Sequence, residues 1–71
     1  MDQEIMVALL TVTGLPVTHK TDPDTGFAQF TVTGKRNFVR MTKEMMATMH
    51  REGIGGKSFW WLVDNLRTLR P

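Results

Sequence analysis

The sequence predicts an α+β fold: a small antiparallel sheet of three or four strands, arranged as a meander of hairpins, followed by two helices packed on one face. Three observations carry this expectation. Residues 27–41 alternate apolar and polar side chains on either side of Gly34-Lys35, the pattern of a hairpin. From Thr42 onward the apolar spacing lengthens from two to that of a helix, first over about 43–52 and then over about 59–69. Ahead of both, residues 4–13 are rich in β-branched and apolar side chains and stop at Gly14, which reads as a further strand.

A chain of 71 residues has room for one small domain, expected here over 1–71, and buries only a modest share of its surface. It contains no cysteine, which removes disulfides, thiolate zinc sites and thiol nucleophiles, so stability rests on the apolar core or on association with a copy or partner. Met1-Asp2-Gln3-Glu4 is acidic where a secretory signal is basic, and the apolar run from Ile5 to Leu10 is too short for a membrane span. The expectation is therefore a cytoplasmic protein without a membrane partner.

The first expected strand, 4–13, is apolar on both faces at its start, which suits a central or well-covered place in the sheet. Leu15-Pro16 turns the chain into a short return strand over 17–20, with proline at its entry as on an edge. Thr21-Asp22-Pro23-Asp24-Thr25-Gly26 is a turn by composition. Its Asp-x-Asp-x-Gly spacing matches the start of a calcium loop but lacks the third oxygen ligand and the distant glutamate, so a plain turn and no metal are expected.

Strands 27–33 and 36–41 are expected to pair across a two-residue type II′ turn at Gly34-Lys35, with Thr33 opposite Arg36, Phe30 opposite Val39 and Ala28 opposite Met41. Alternation then puts Ala28, Phe30, Val32, Val39 and Met41 on the core face. The other face receives Phe27, Gln29, Thr31, Thr33, Arg36, Phe38 and Arg40, with Lys35 at the tip. Thr11-Val12-Thr13-Gly14 recurs as Thr31-Val32-Thr33-Gly34, and both copies read as strand ends entering similar turns.

Thr42 is the expected N-cap of the first helix and Gly53 its C-terminal stop, with Ile54 folding back on Met49; Met45, Met46 and Met49 form its apolar stripe. Ser58 is the expected N-cap of the second, and Phe59, Leu62, Val63, Leu66 and Leu69 follow at helical spacing as one core face. On a helical wheel Trp60 lies about 100° and Trp61 about 200° from Phe59, so both rings cannot share that face.

Several chemistries are weighed and set aside. Gly55-Gly56-Lys57-Ser58 resembles the end of a phosphate-binding loop, but Arg51 stands where the loop's first glycine belongs; the free amides of the helix start remain a candidate site for one phosphate or carboxylate. A helix-turn-helix over the two helices is disfavoured by Met49 at the close-crossing position and by tryptophans where recognition residues belong. His19 and His50 have no serine–acid set or metal spacing around them. No enzyme, catalytic residue or cofactor is expected.

What remains is binding. Up to Gly34 there is one base against four acids, and from Lys35 onward eight bases against three acids, within a net charge of +2. That asymmetry points the second half of the chain at an anionic partner, DNA or RNA, through Lys35, Arg36, Phe38 and Arg40 on the hairpin and Lys57, Arg67 and Arg70 around the last helix. The alternative is a protein-binding adaptor, inhibitor or regulator, or a homodimer, anchored by Trp60 or Trp61 with Asn65 beside them.

Overall fold

The computed structural model describes residues 3–70. The expectations attached to Met1-Asp2 and to the end of the domain at Pro71 lie outside the described residues. In chain order the elements are α1 (Gln3–Thr13), β1 (Val17–Thr21), β2 (Ala28–Val32), β3 (Phe38–Met41), α2 (Lys43–Glu52) and α3 (Lys57–Arg67). The fold is α+β, with a helix before the sheet and two helices after it.

The helix before the sheet corrects the expected strand over 4–13. An apolar run without clear alternation is compatible with either element, and at 11 residues this one has the length of a helix rather than a strand. Met6, Ala8, Leu9 and Leu10 are strong helix formers, and Ile5 and Leu9, one turn apart, bury against the core while Met6, Ala8 and Val12 pack partly onto it. The threonines that suggested a strand are accommodated by back-bonding: Thr11 Oγ1 donates to the Val7 carbonyl at 2.8 Å and Thr13 Oγ1 to that of Leu9 at 2.6 Å.

With α1 removed from the sheet, three strands remain, in the antiparallel order β1-β2-β3. The return strand β1 pairs with β2, Val17 opposite Val32 and His19 opposite Phe30. Between β2 and β3 the expected register holds at Ala28 opposite Met41 and Phe30 opposite Val39, and the ladder ends at Thr31 opposite Phe38.

The tight two-residue turn is not what closes this hairpin. Lys35 N donates to the Val32 carbonyl at 2.9 Å, so Gly34, with φ of 92°, takes the third position of its turn rather than the second, and the chain loops on to Asn37. Thr33 is drawn the other way, its N and Oγ1 both donating to the Pro16 carbonyl at 3.0 and 3.3 Å, which extends the β1–β2 pairing and leaves Arg36 without a cross-strand partner. The β1–β2 turn uses local bonds: Gly26 N donates to the Asp22 carbonyl and Asp24 N to the Asp22 carboxylate, both at 2.8 Å.

One face of the sheet carries the core. Ala28, Phe30, Val32, Val39 and Met41 are buried there, as alternation requires, against Met49 from α2 and Phe59, Leu62, Val63 and Leu66 from α3. The remaining methionines of α2, Met45 and Met46, and Leu69 pack partly on the same cluster, which makes the methionine stripe a core filler rather than a groove. Burial of these side chains supplies the driving force at roughly 1.5–3 kcal/mol for each large one.

The helix ends differ in how they are satisfied. Thr42 caps α2 as expected, its Oγ1 accepting from Met45 N at 3.2 Å, and Gly53, with φ of 77°, closes it by donating to the Met49 carbonyl at 2.8 Å. Ser58 does not cap α3. Gly56 holds the N-cap position, Ser58 lies inside the first turn, and its amide donates to Oε1 of Glu52 at 3.3 Å. The last residue of α2 thus supplies the anionic group for the start of α3, and Gly56 permits it, since a Cβ there would stand 2.6 Å from Glu52 Cβ.

Candidate functional site

All three helices cover the core face, so the opposite face of the sheet is open, and strand alternation decides what it presents. The outward positions are Thr18 and Lys20 on β1, Gln29 and Thr31 on β2, and Phe38 and Arg40 on β3. The registers align them in two cross-strand rows, Lys20–Gln29–Arg40 and Thr18–Thr31–Phe38. Neighbours in such rows lie about 5 Å apart at Cβ, close enough to act on one ligand. No carboxylate occupies any of these six positions.

The aromatic and cationic parts are arranged together. The guanidinium of Arg40 sits 5.3 Å from the centroid of Phe27, which lies just before β2, and this cation–π contact holds the long side chain along the sheet edge. Phe38 is half-exposed although its ring is apolar, and Thr31 beneath it is tied down by a 3.1 Å bond from Oγ1 to the Asn37 carbonyl. Arg36 is exposed in the loop that leads into β3. At the far end a shallow groove of about 300 Å³ runs between Lys20, Gln29 and the Asp22-Pro23 turn. The acids of the β1–β2 turn lie at that end, and Asp22 spends one oxygen on Asp24 N at 2.8 Å.

The basic residues singled out from the sequence do not form one patch. Arg36, Phe38 and Arg40 belong to the open sheet surface. Lys35 turns away from it, and its Nζ donates to the Leu69 carbonyl at 2.7 Å, which closes the carboxyl end of α3. Arg67 is likewise engaged, Nη2 donating to the Val12 carbonyl at 2.9 Å and so capping α1. Lys57 and Arg70 are exposed, one at the start of α3 and the other just past its end, and neither is among the six outward strand positions. Lys20, absent from the sequence-derived set because it sits in the acidic half, belongs to the open face; period-two reading of 17–21 places it there opposite Gln29.

The tryptophans meet the expectation that both cannot share the core face, and in fact neither is on it. Trp60 is 42% and Trp61 41% exposed, and Trp60 keeps an edge-to-face contact with buried Phe59 at 5.8 Å between centroids. Asn65 uses its amide Nδ2 locally, donating to the Trp61 carbonyl at 2.8 Å. The glycine-rich start of α3, a candidate for a phosphate or carboxylate, already holds the carboxylate of Glu52. His19 points to the core side of β1 with its ring stacked on Phe30, 5.8 Å between centroids and 25° between planes, and desolvation lowers its pKa from the ordinary 6.5. Among the described residues no group of three or more acidic or histidine side chains is placed to hold a metal ion, and no helix is long and apolar enough to cross a membrane.

No family model, no curated protein and no solved structure matches this chain. The functional reading therefore rests on the geometry of its own surface.

Proposed function

We propose that this chain is a nucleic-acid-binding domain that holds DNA or RNA against the open face of its three-stranded sheet. The observation that carries this reading is the composition of the six outward strand positions: two cations, one half-exposed ring, three neutral hydrogen-bonding side chains and no carboxylate. Lys20 and Arg40 at either end of one row, with Arg36 beyond, would neutralise phosphates; Phe38 would stack on a base; Thr18, Gln29 and Thr31 between them are short enough to let a strand lie close. Lys35 and Arg67 act within the fold, on Leu69 and Val12, and are outside this proposed contact surface.

Fluorescence anisotropy with labelled 20-nucleotide single strands and duplexes tests the reading. Binding is expected to weaken linearly in log–log form as salt rises, and each of Lys20→Ala, Arg36→Ala and Arg40→Ala should reduce that slope by about one. Phe38→Ala should weaken single-strand binding by roughly 1–3 kcal/mol with little change in slope. Absence of binding at 50 mM salt, or alanine variants that bind like the parent, would defeat the proposal.

The exposure of both tryptophans favours a second reading, a protein-binding surface on the outer side of α3 in which Trp60 and Trp61 are anchors and Asn65 a polar neighbour. It predicts a blue shift and protection from iodide quenching of tryptophan fluorescence when the partner is present, whereas a nucleic acid on the sheet face leaves these rings accessible.

A further inference from the structure

The groove at the Lys20 end of the open sheet face differs from the rest of that face in holding a carboxylate. Its walls are Lys20 and Gln29 from the strands with Thr21, Asp22 and Pro23 where β1 runs into its turn, and its volume of about 300 Å³ lies at the lower end of the range for small-molecule sites. Asp22 is held there by hydrogen bonds of 2.8 Å each: its amide donates to the Phe27 carbonyl, its carbonyl accepts from Gly26 N, and its Oδ1 accepts from Asp24 N. A carboxylate oxygen can accept two hydrogens, so among the described residues Oδ1 keeps one place and Oδ2 both.

We propose that this groove selects guanine in a single strand lying on the sheet face, the Asp22 carboxylate accepting from N1–H and from the N2 amino group of the base. The inference rests on the nucleic-acid reading and names the base that one end of that surface takes. Beside a phosphate chain a carboxylate repels and weakens binding; facing a base edge it accepts hydrogen bonds and chooses among bases. Guanine alone among the common bases carries two adjacent donors on its Watson–Crick edge, which match the two oxygens of a carboxylate. Adenine, cytosine, thymine and uracil each set an acceptor beside a single donor group there, and a carboxylate repels that acceptor. Lys20 and Gln29, in the same walls, carry donors for the O6 of guanine, and Pro23 offers the flat of the ring an apolar wall. The Watson–Crick edge is free only in an unpaired base, so the ligand is a single strand rather than a duplex.

Phe38 is too far from the groove to serve the same base. By register it lies two strands over from Lys20 and two residues along, about 10 Å across the sheet and about 7 Å along it at standard strand spacings. The ring and the groove therefore take different bases of one strand. A ring stacks on any base, whereas a carboxylate facing a base edge discriminates. Affinity and base preference are thus separable: Phe38 acts on every sequence and Asp22 on guanine.

Fluorescence anisotropy at low salt with labelled oligothymidines of about five nucleotides, the central base replaced in turn by guanine, adenine, cytosine or hypoxanthine, tests the inference. The guanine strand is expected to bind roughly tenfold more tightly than the thymine, adenine and cytosine strands, within the range for a bidentate contact between a side chain and a base. Hypoxanthine keeps N1–H but lacks the N2 amino group, and should bind several-fold more weakly than guanine. Asp22→Asn keeps an oxygen for Asp24 N, and with it the turn, but sets an amide donor where an acceptor is needed; it should bind all the strands alike at the parent's thermal midpoint. Phe38→Ala should weaken every strand and leave the guanine preference at its parent value. Equal affinity of the parent for every strand overturns the inference, and leaves the nucleic-acid reading standing when Lys20→Ala or Arg40→Ala still weakens binding. A guanine preference that survives Asp22→Asn, or that vanishes in Phe38→Ala, also overturns it. A parent that binds none of these strands overturns it too, and the nucleic-acid reading falls with it if the longer strands also fail to bind.

Discussion

The same four residues, Thr-Val-Thr-Gly, occur at 11–14 and at 31–34, and the protein folds them in two ways. The first copy is the last turn of α1; the second is the end of β2 and the start of its loop. In the first, the hydroxyls of Thr11 and Thr13 turn back one helical turn to the carbonyls of Val7 and Leu9. In the second, the hydroxyls reach across to other segments, Thr31 to the Asn37 carbonyl and Thr33 to that of Pro16. Both glycines take positive φ, 68° at Gly14 and 92° at Gly34, so the stop signal is shared although the element it stops is not. Local sequence thus specifies where each segment ends, and the neighbours decide what it is.

The largest expected contrast is at the valines. Val32 is buried on the central strand, so Val32→Ala should cost about 2 kcal/mol, whereas Val12 is only partly buried and its replacement by alanine, a better helix former, should cost under about 1 kcal/mol in urea unfolding. Equal losses would mean the two copies share one environment. The threonines should differ in sign. Thr31→Ala removes the bond to Asn37 and a central-strand side chain and should destabilise by about 1 kcal/mol; Thr11→Ala should stabilise by a few tenths, because threonine is the poorer helix former and its back-bond contributes little. The smallest effect is a pH dependence belonging to the sheet copy's surroundings. His19, stacked on Phe30 beside that copy, has a folded pKa below its ordinary 6.5, so folding disfavours the protonated form. Its contribution is complete above pH 6.5 and is lost as pH falls through 6.5 toward the lower folded value. The urea midpoint should therefore drop slightly between pH 7.5 and 5.5, and His19→Gln should remove that part of the drop.

The candidate surface was legible in part for the same reason as the core. Phe38 and Arg40 follow from alternation once Phe30 and Met41 are set inward, because in a strand the assignment of one face fixes the other. Lys20 follows from the same rule, although a charge balance summed over the acidic first half of the chain conceals it. Lys35 and Arg67 were not legible as structural caps. Their partners, the carbonyls of Leu69 and Val12, are 34 and 55 residues away in sequence, and no local pattern announces a contact of that range.

The sequence by itself determined the α2 and α3 helices with their apolar faces, the buried side of β2 and β3 and their register, and the positions where the chain must turn. Each of these follows from a period or from a residue's own backbone preference, which act over a few positions. The tertiary structure decided that 3–13 is a helix, that Thr33 joins the β1 side and opens the loop, that Glu52 caps α3, and that Val7 and Leu10 face outward. Those outcomes depend on which surfaces meet: the apolar run over 3–13 has no clear alternation, and although its length suits a helix, it is the burial of Ile5 and Leu9 in the core, with α1 packed on α3 and β1, that fixes the element.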